Sequence, residues 1–154
     1  MVLARHLLKT ADGLLSETAT QTMGRRAVST AYYAVFHALA HICAEQLLTN
    51  ETNTESDDYV KVYRALDHGS MKNAFKGAPL KELESIQSIG NRTVELQSER
   101  VLADYMPHKS RMYTRQQCLD LVQSARLTVE AIGRLHEADK RALAVNLIFK
   151  NRPQ

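Results

Sequence analysis

The chain has no tryptophan, three prolines and six glycines in 154 residues. So few helix breakers favour helices joined by few tight turns. Val, Ile and Thr do not gather into alternating runs, so strands find little support. There are two cysteines, Cys43 and Cys118, in no C-x-x-C pattern. Both fall in apolar-periodic segments and read as small core residues of a reducing compartment. No Gly-rich phosphate loop, no G-x-G-x-x-G, no G-x-S-x-G and no Cys/His metal spacing occurs, so ATPase, dehydrogenase, hydrolase and zinc-finger readings lose their usual support. The first residues, MVLARHLLKT, lack the apolar centre of a signal peptide. No run approaches the ~20 apolar residues of a membrane span. The expectation is a soluble cytoplasmic protein with no membrane contact, in which the sequons at Asn50 and Asn91 carry no weight.

What is present suits a globular fold. Apolar residues make up 44% of the chain, and the length is that of one domain spanning 1–154. The net charge of +3 is compatible with an anionic partner without requiring one. Apolar spacing predicts helices over about 2–20 and 23–49, the second capped by Thr22. An acidic loop follows at about 50–58. Short helices are expected at about 57–67 and 70–76, separated by His68-Gly69-Ser70. Pro79 is expected to start a helix over about 79–99. An extended connection over 101–113 is expected next, with a basic stretch at about 106–113, because proline pushes its predecessor out of the helical region. Thr114 and Gln117 form a capping box for the last long helix, and a further helix is expected at about 139–150. The sum is an all-α, up-down bundle of four or five main helices.

Three places carry candidate chemistry. Arg26, Tyr33 and His37 lie seven and eleven residues apart, which puts them within ~20° of one direction on the second helix. They form a polar stripe beside the core stripe of Val28, Tyr32, Val35, Leu39 and Ile42. Tyr33 and His37 also read as boundary residues satisfied by hydrogen bonds. His37 and His41 have the four-residue spacing of a metal pair, but position 38 is Ala and no third ligand is evident, so no metal or other cofactor is expected. Arg64 and His68 stand one helical turn apart, where Arg could neutralise a phosphate while His moves a proton; a His closing a helix is also favoured by the dipole alone. Finally, Arg100, Lys109, Arg111 and Arg115 are interleaved with Tyr105, His108 and Tyr113. Cations alternating with aromatic rings suit single-stranded RNA. An Asp104–Arg100 pair pinning a loop would explain part of the same stretch.

The segment Arg26-x-x-x-x-x-Tyr32-Tyr33-Ala34-x-Phe36-His37, followed some seventy residues later by Arg100-x-x-Ala103-Asp104-Tyr105, resembles the pattern of HEPN domains, in particular small bacterial stand-alone members. The resemblance covers roughly residues 5–136. It implies a four- or five-helix bundle, usually a homodimer. Many members are metal-independent endoribonucleases in which an Arg and a His, separated by four to six residues, use the 2′-hydroxyl of RNA as nucleophile. Several act as toxins beside a nucleotidyltransferase antitoxin, or in phage defence; others only bind RNA or protein. Tyr33, His37, Arg100, Asp104 and Tyr105 are the positions that match. This chain departs from the catalytic pattern, because Asp104, Tyr105 or Met106 stands where the His would fall.

Three readings follow. In an endoribonuclease, Arg100 would stabilise the phosphate, His37, His68 or Asp104 would move protons, and Arg26, Tyr33, Arg64, Tyr105, Lys109 and Arg111 would hold RNA. In a non-catalytic module the same surface binds RNA or a protein partner. In a helical dimerisation protein the basic stretch would tolerate charge reversal.

Overall fold

A computed structural model describes residues 1–48, 53–107 and 112–149. Among these residues there are seven helices and no strand: α1 (Val2–Gly13), α2 (Gln21–Leu47), α3 (Asp57–Ala65), α4 (His68–Lys76), α5 (Glu84–Tyr105), α6 (Arg115–Arg134) and α7 (Glu137–Ile148). The protein is an all-α helical bundle with α2 at its centre, packed by α1, α3, α5, α6 and α7. Central placement explains the composition of α2. Ala27, Ala31, Ala34, Ala38 and Ala40 are buried together with Val28, Tyr32, Val35 and Leu39, because a helix surrounded on most sides needs small residues where neighbours come close. By length and mean hydropathy α2 could cross a bilayer, but 72% of its most apolar window is packed inside the bundle, as expected of a core helix.

Local signals set the helix ends. Thr20, rather than Thr22, caps α2 by accepting from the Met23 amide. Ser56 caps α3 ahead of Asp57 and Asp58, and Asp67 caps α4. The Thr114–Gln117 capping box opens α6 as expected, an arrangement worth about 1 kcal/mol.

Several boundaries differ from the sequence reading. α1 stops at Gly13, and its buried line is Ala4, Leu8 and Ala11, continued by Leu15 beyond the helix. Leu3, at the start of α1, is exposed. The Leu15 and Ser16 carbonyls accept from Arg115 Nε, so the segment after Gly13 is held by α6 rather than by its own helix. Pro79 does not start α5. Buried Leu80 anchors a turn there, closed by Lys81 and Glu82 amides donating to Gly77 and Pro79, and α5 begins at Glu84. At its other end α5 runs on through Arg100, Asp104 and Tyr105, where an extended connection was expected. Pro107 breaks the helix only past Tyr105. Arg25 supplies the cap, donating to the Ala103 and Met106 carbonyls at 2.7 and 2.6 Å. α4 and α5 meet at Gly90, where an added Cβ would stand 2.7 Å from the Phe75 ring. Lys109, Arg111 and His108, with part of the acidic loop, lie outside the described residues.

Candidate functional site

The polar stripe of α2 faces the open ends of α3, α4 and α5. Three tyrosine–histidine pairs are built there. Tyr32 Oη lies 2.6 Å from His68 Nδ1, Tyr63 Oη 2.7 Å from His37 Nδ1, and Tyr59 Oη 2.7 Å from His41 Nδ1. Burial raises the pKa of all three tyrosines, Tyr63 to about 12, so each phenol keeps its proton. Tyr32 is fully buried, and a buried hydroxyl must donate to something. Its partner is His68 Nδ1. The proton of neutral His68 therefore sits on Nε2. Tyr63 is only part-buried, but a phenol O–H is a stronger donor than a neutral imidazole N–H, so Tyr63 is assigned as donor to His37 Nδ1 and the His37 proton to Nε2. His41 Nε2 lies 3.1 Å from Glu45 and donates to it.

Arg100 enters from α5. Its guanidinium donates to Tyr33 Oη at 2.8 Å and lies over the rings of Tyr32, Tyr33 and Tyr105 at 5.3–5.9 Å. Asp104, one turn on, places a carboxylate oxygen 3.3 Å from Arg100 Nε. That contact is an ion pair without an aligned hydrogen bond, since the buried Nε has no hydrogen-bond partner among the described residues. The arginine side chain is 11% exposed and that of Asp104 26%.

His68 stands at the junction. Its ring is 4.4 Å from Phe36 and 6.0 Å from Tyr33, centre to centre. Gln97 on α5 donates to the His68 carbonyl at 2.9 Å. Burial lowers the His68 pKa, and the Arg100 charge lowers it further. His37 is lowered by burial and then by His68. Both are neutral at neutral pH. Arg100 of α5, His68 of α4, and Tyr33 and His37 of α2 thus converge within one chain.

The other candidates are placed as follows. His68 opens α4; it does not close α3, because Leu66 and Asp67 are extended and separate the helices. Arg64 is consequently on another helix, exposed at the rim of a cleft beside His37. Arg26 is exposed and lines a shallow cleft with Thr22, Arg25 and Asp104. Tyr105 is 73% exposed. Tyr113, expected among stacking aromatics, is buried and donates to Glu99. Its backbone is bound by the Gln21 side chain, so its role is to hold α6 against α2. Arg115 is likewise engaged with the α1–α2 connection. The tyrosine hydroxyls of Tyr32, Tyr59 and Tyr63 were missed as site groups. Their spacing on the helices announced core packing, and nothing local showed which polar atom each would meet.

Among the described residues no three His, Cys, Asp or Glu side chains form a metal-ligating cluster. Comparison with protein-family models, with curated proteins and with solved structures gave no match for this chain.

Proposed function

We propose that the chain is a HEPN-type module that binds single-stranded RNA along the polar face of α2. The arrangement carrying this reading is Arg100 bonded to Tyr33 and close enough to His68 to act on it electrostatically. A fixed cation, a phenol and an imidazole Nε2–H offer donors to phosphate oxygens. Aromatic rings interleave with cations from Arg26 through Arg100, Tyr33 and His37 to Arg64, which suits a strand whose bases stack while its phosphates are neutralised. Tyr32 holds His68 as a donor, and a neutral Nε2–H imidazole is a poor base for the 2′-hydroxyl, so the geometry favours binding over cleavage. The test is fluorescence anisotropy with a labelled oligoribonucleotide across a salt series. Binding should weaken as salt rises, Arg100→Ala should weaken it about tenfold, and the RNA should stay intact on a gel. Absence of binding by the native protein at low salt refutes the reading.

A second reading, a metal-independent endoribonuclease acting as toxin or phage-defence effector, is supported by the meeting of Arg100 with His68 in one chain. It expects cleavage that leaves 2′,3′-cyclic phosphate ends, growth arrest on expression, and loss of both in His68→Ala, with a nucleotidyltransferase antitoxin as partner. For either reading the exposed Val101, Leu102 and Tyr105 on α5, next to Arg100, are the proposed contact of a homodimer, which sedimentation would detect.

A further inference from the structure

A cleft of about 530 Å³ opens between the start of α1, α2 and α3. One wall is aromatic: Tyr59 and Tyr63 stack at 5.9 Å and 28°, and Tyr63 and His37 at 5.8 Å and 21°. Val2 and Leu3 of α1 and Val60 of α3 also line it and are 40–66% exposed. His37 has its Nδ1 engaged by Tyr63, and its Nε2–H has no partner among the described residues. The cleft therefore combines an aromatic wall, exposed apolar side chains and the His37 donor, and it is also lined by Met1, His41 and exposed Arg64.

His37 joins this cleft to the Arg100 site. Its ring lies 6.4 Å from Tyr33, the residue that receives the Arg100 hydrogen bond. A group bound over Tyr63 and one bound at Arg100 would thus be neighbours along one face of α2. Successive parts of a nucleic-acid strand, base and phosphate, have that relation.

We propose that this cleft is a base-binding subsite, which takes one unstacked nucleobase of a single-stranded RNA whose phosphate lies at Arg100. The inference rests on the RNA-binding reading and adds what that reading lacks, a place for a base. The base packs against Tyr59 and Tyr63, and a ring carbonyl or imino acceptor at its edge meets the edge of His37 and receives its Nε2–H. Arg64 meets a flanking phosphate. Recognition by stacking and a single donor tolerates several bases, so a preference for unpaired over duplex RNA is expected rather than a sequence code.

The experiment compares two fluorescent probes of equal length and charge: a homopolymeric oligoribonucleotide, and the same backbone with abasic riboses. The native protein should bind the base-bearing probe about tenfold more tightly. Tyr63→Ala should erase that ratio. Because Tyr63 packs against its neighbours, Val60→Trp serves as the second variant. It lies on an exposed helix position and fills the cleft without touching the core, and it should erase the ratio too. Arg100→Ala should weaken both probes equally and leave the ratio intact. If Val60→Trp and a folded Tyr63→Ala keep the native ratio while Arg100→Ala weakens both probes, the base subsite is wrong and the RNA-binding reading stands. If the native protein binds both probes equally, the subsite is again overturned. If it binds neither, the RNA-binding reading falls and the subsite falls with it.

Discussion

Replacing Tyr32 by Phe tests the arrangement on which the site depends. The ring is fully buried and touches Phe36, Tyr33 and His68, and Phe preserves that packing. Only the hydroxyl that lies 2.6 Å from His68 Nδ1 is lost. A typical intramolecular hydrogen bond contributes about 1 kcal/mol, and a buried acceptor left without a donor costs about 1–3 kcal/mol. His68 is half-buried, so water recovers part of the second cost, and a net loss of about 1–2 kcal/mol is expected. For a domain of this size that lowers Tm by roughly 2–8 °C, measured by circular dichroism. The diagnostic readout is nitrogen NMR of the imidazole. In the native protein His68 should carry its proton on Nε2 at neutral pH. In Tyr32→Phe the tautomers should mix and the His68 pKa should rise, because the donor that favoured the neutral form has gone. A native His68 protonated on Nδ1 would refute the direction of the hydrogen bond, and with it the case for a donor rather than a base.

Two further outcomes follow from the same geometry. Arg25→Ala removes both hydrogen bonds that cap the end of α5 and should cost about 2 kcal/mol. Faster amide exchange confined to the last turn of α5, around Ala103 and Met106, would mark the effect, whereas unchanged protection there would contradict the capping role. Acid should also weaken the fold. His37, His41 and His68 all have folded pKa values below the ordinary 6.5, from burial first and then from His68, the N-terminal amine and Arg100 respectively. The unfolded chain therefore binds more protons, so stability is fully present above about pH 6.5 and is lost as pH falls through the folded values. Urea midpoints should drop between pH ~7.5 and ~5, and the drop should shrink in His68→Gln if the inference is right.

The two faces of α2 were legible in the sequence for the reason that makes any amphipathic helix legible. A 3.6-residue repeat places Val28, Tyr32, Val35 and Leu39 inward and leaves Tyr33 and His37 at the edge. Partner choice was not legible. Tyr32 looked like core and is core, yet its hydroxyl meets His68, 36 residues away. Arg25 and Arg26 are adjacent and chemically alike; only the position of the α5 end, 78 residues on, makes Arg25 a cap and leaves Arg26 at the surface. The length of α5 was underestimated because Pro107 was given influence over residues well before it. Proline constrains its immediate predecessor, and Arg100-Val101-Leu102-Ala103-Asp104-Tyr105 contains nothing that stops a helix. That misreading mattered, since only a helical Arg100 and Asp104 can sit one turn apart.

Their pairing leads to the sharpest separation between binding and catalysis. Asp104 is one of the positions where the pattern that the sequence resembles would carry a catalytic His, and its carboxylate partly neutralises Arg100 at 3.3 Å. An arriving phosphate must share the guanidinium with Asp104 and is repelled by it. At a few ångströms that repulsion is at least about 1 kcal/mol, the bulk-water figure, and the part-buried ion pair, lacking an aligned hydrogen bond, adds about 1 kcal/mol to the fold. Asp104→Asn keeps the shape and removes the charge. If Arg100 is a phosphate-binding group, the variant should bind RNA roughly fivefold more tightly, with the gain fading at high salt and little change in Tm. If Asp104 serves instead as a proton carrier in cleavage, the same variant should abolish cleavage. Anisotropy and a gel assay on one preparation read both quantities. Affinity that stays the same or falls in Asp104→Asn, with the fold intact, would mean that Asp104 does not screen the cation from the ligand. Arg100 would then be a structural strut between α2 and α5.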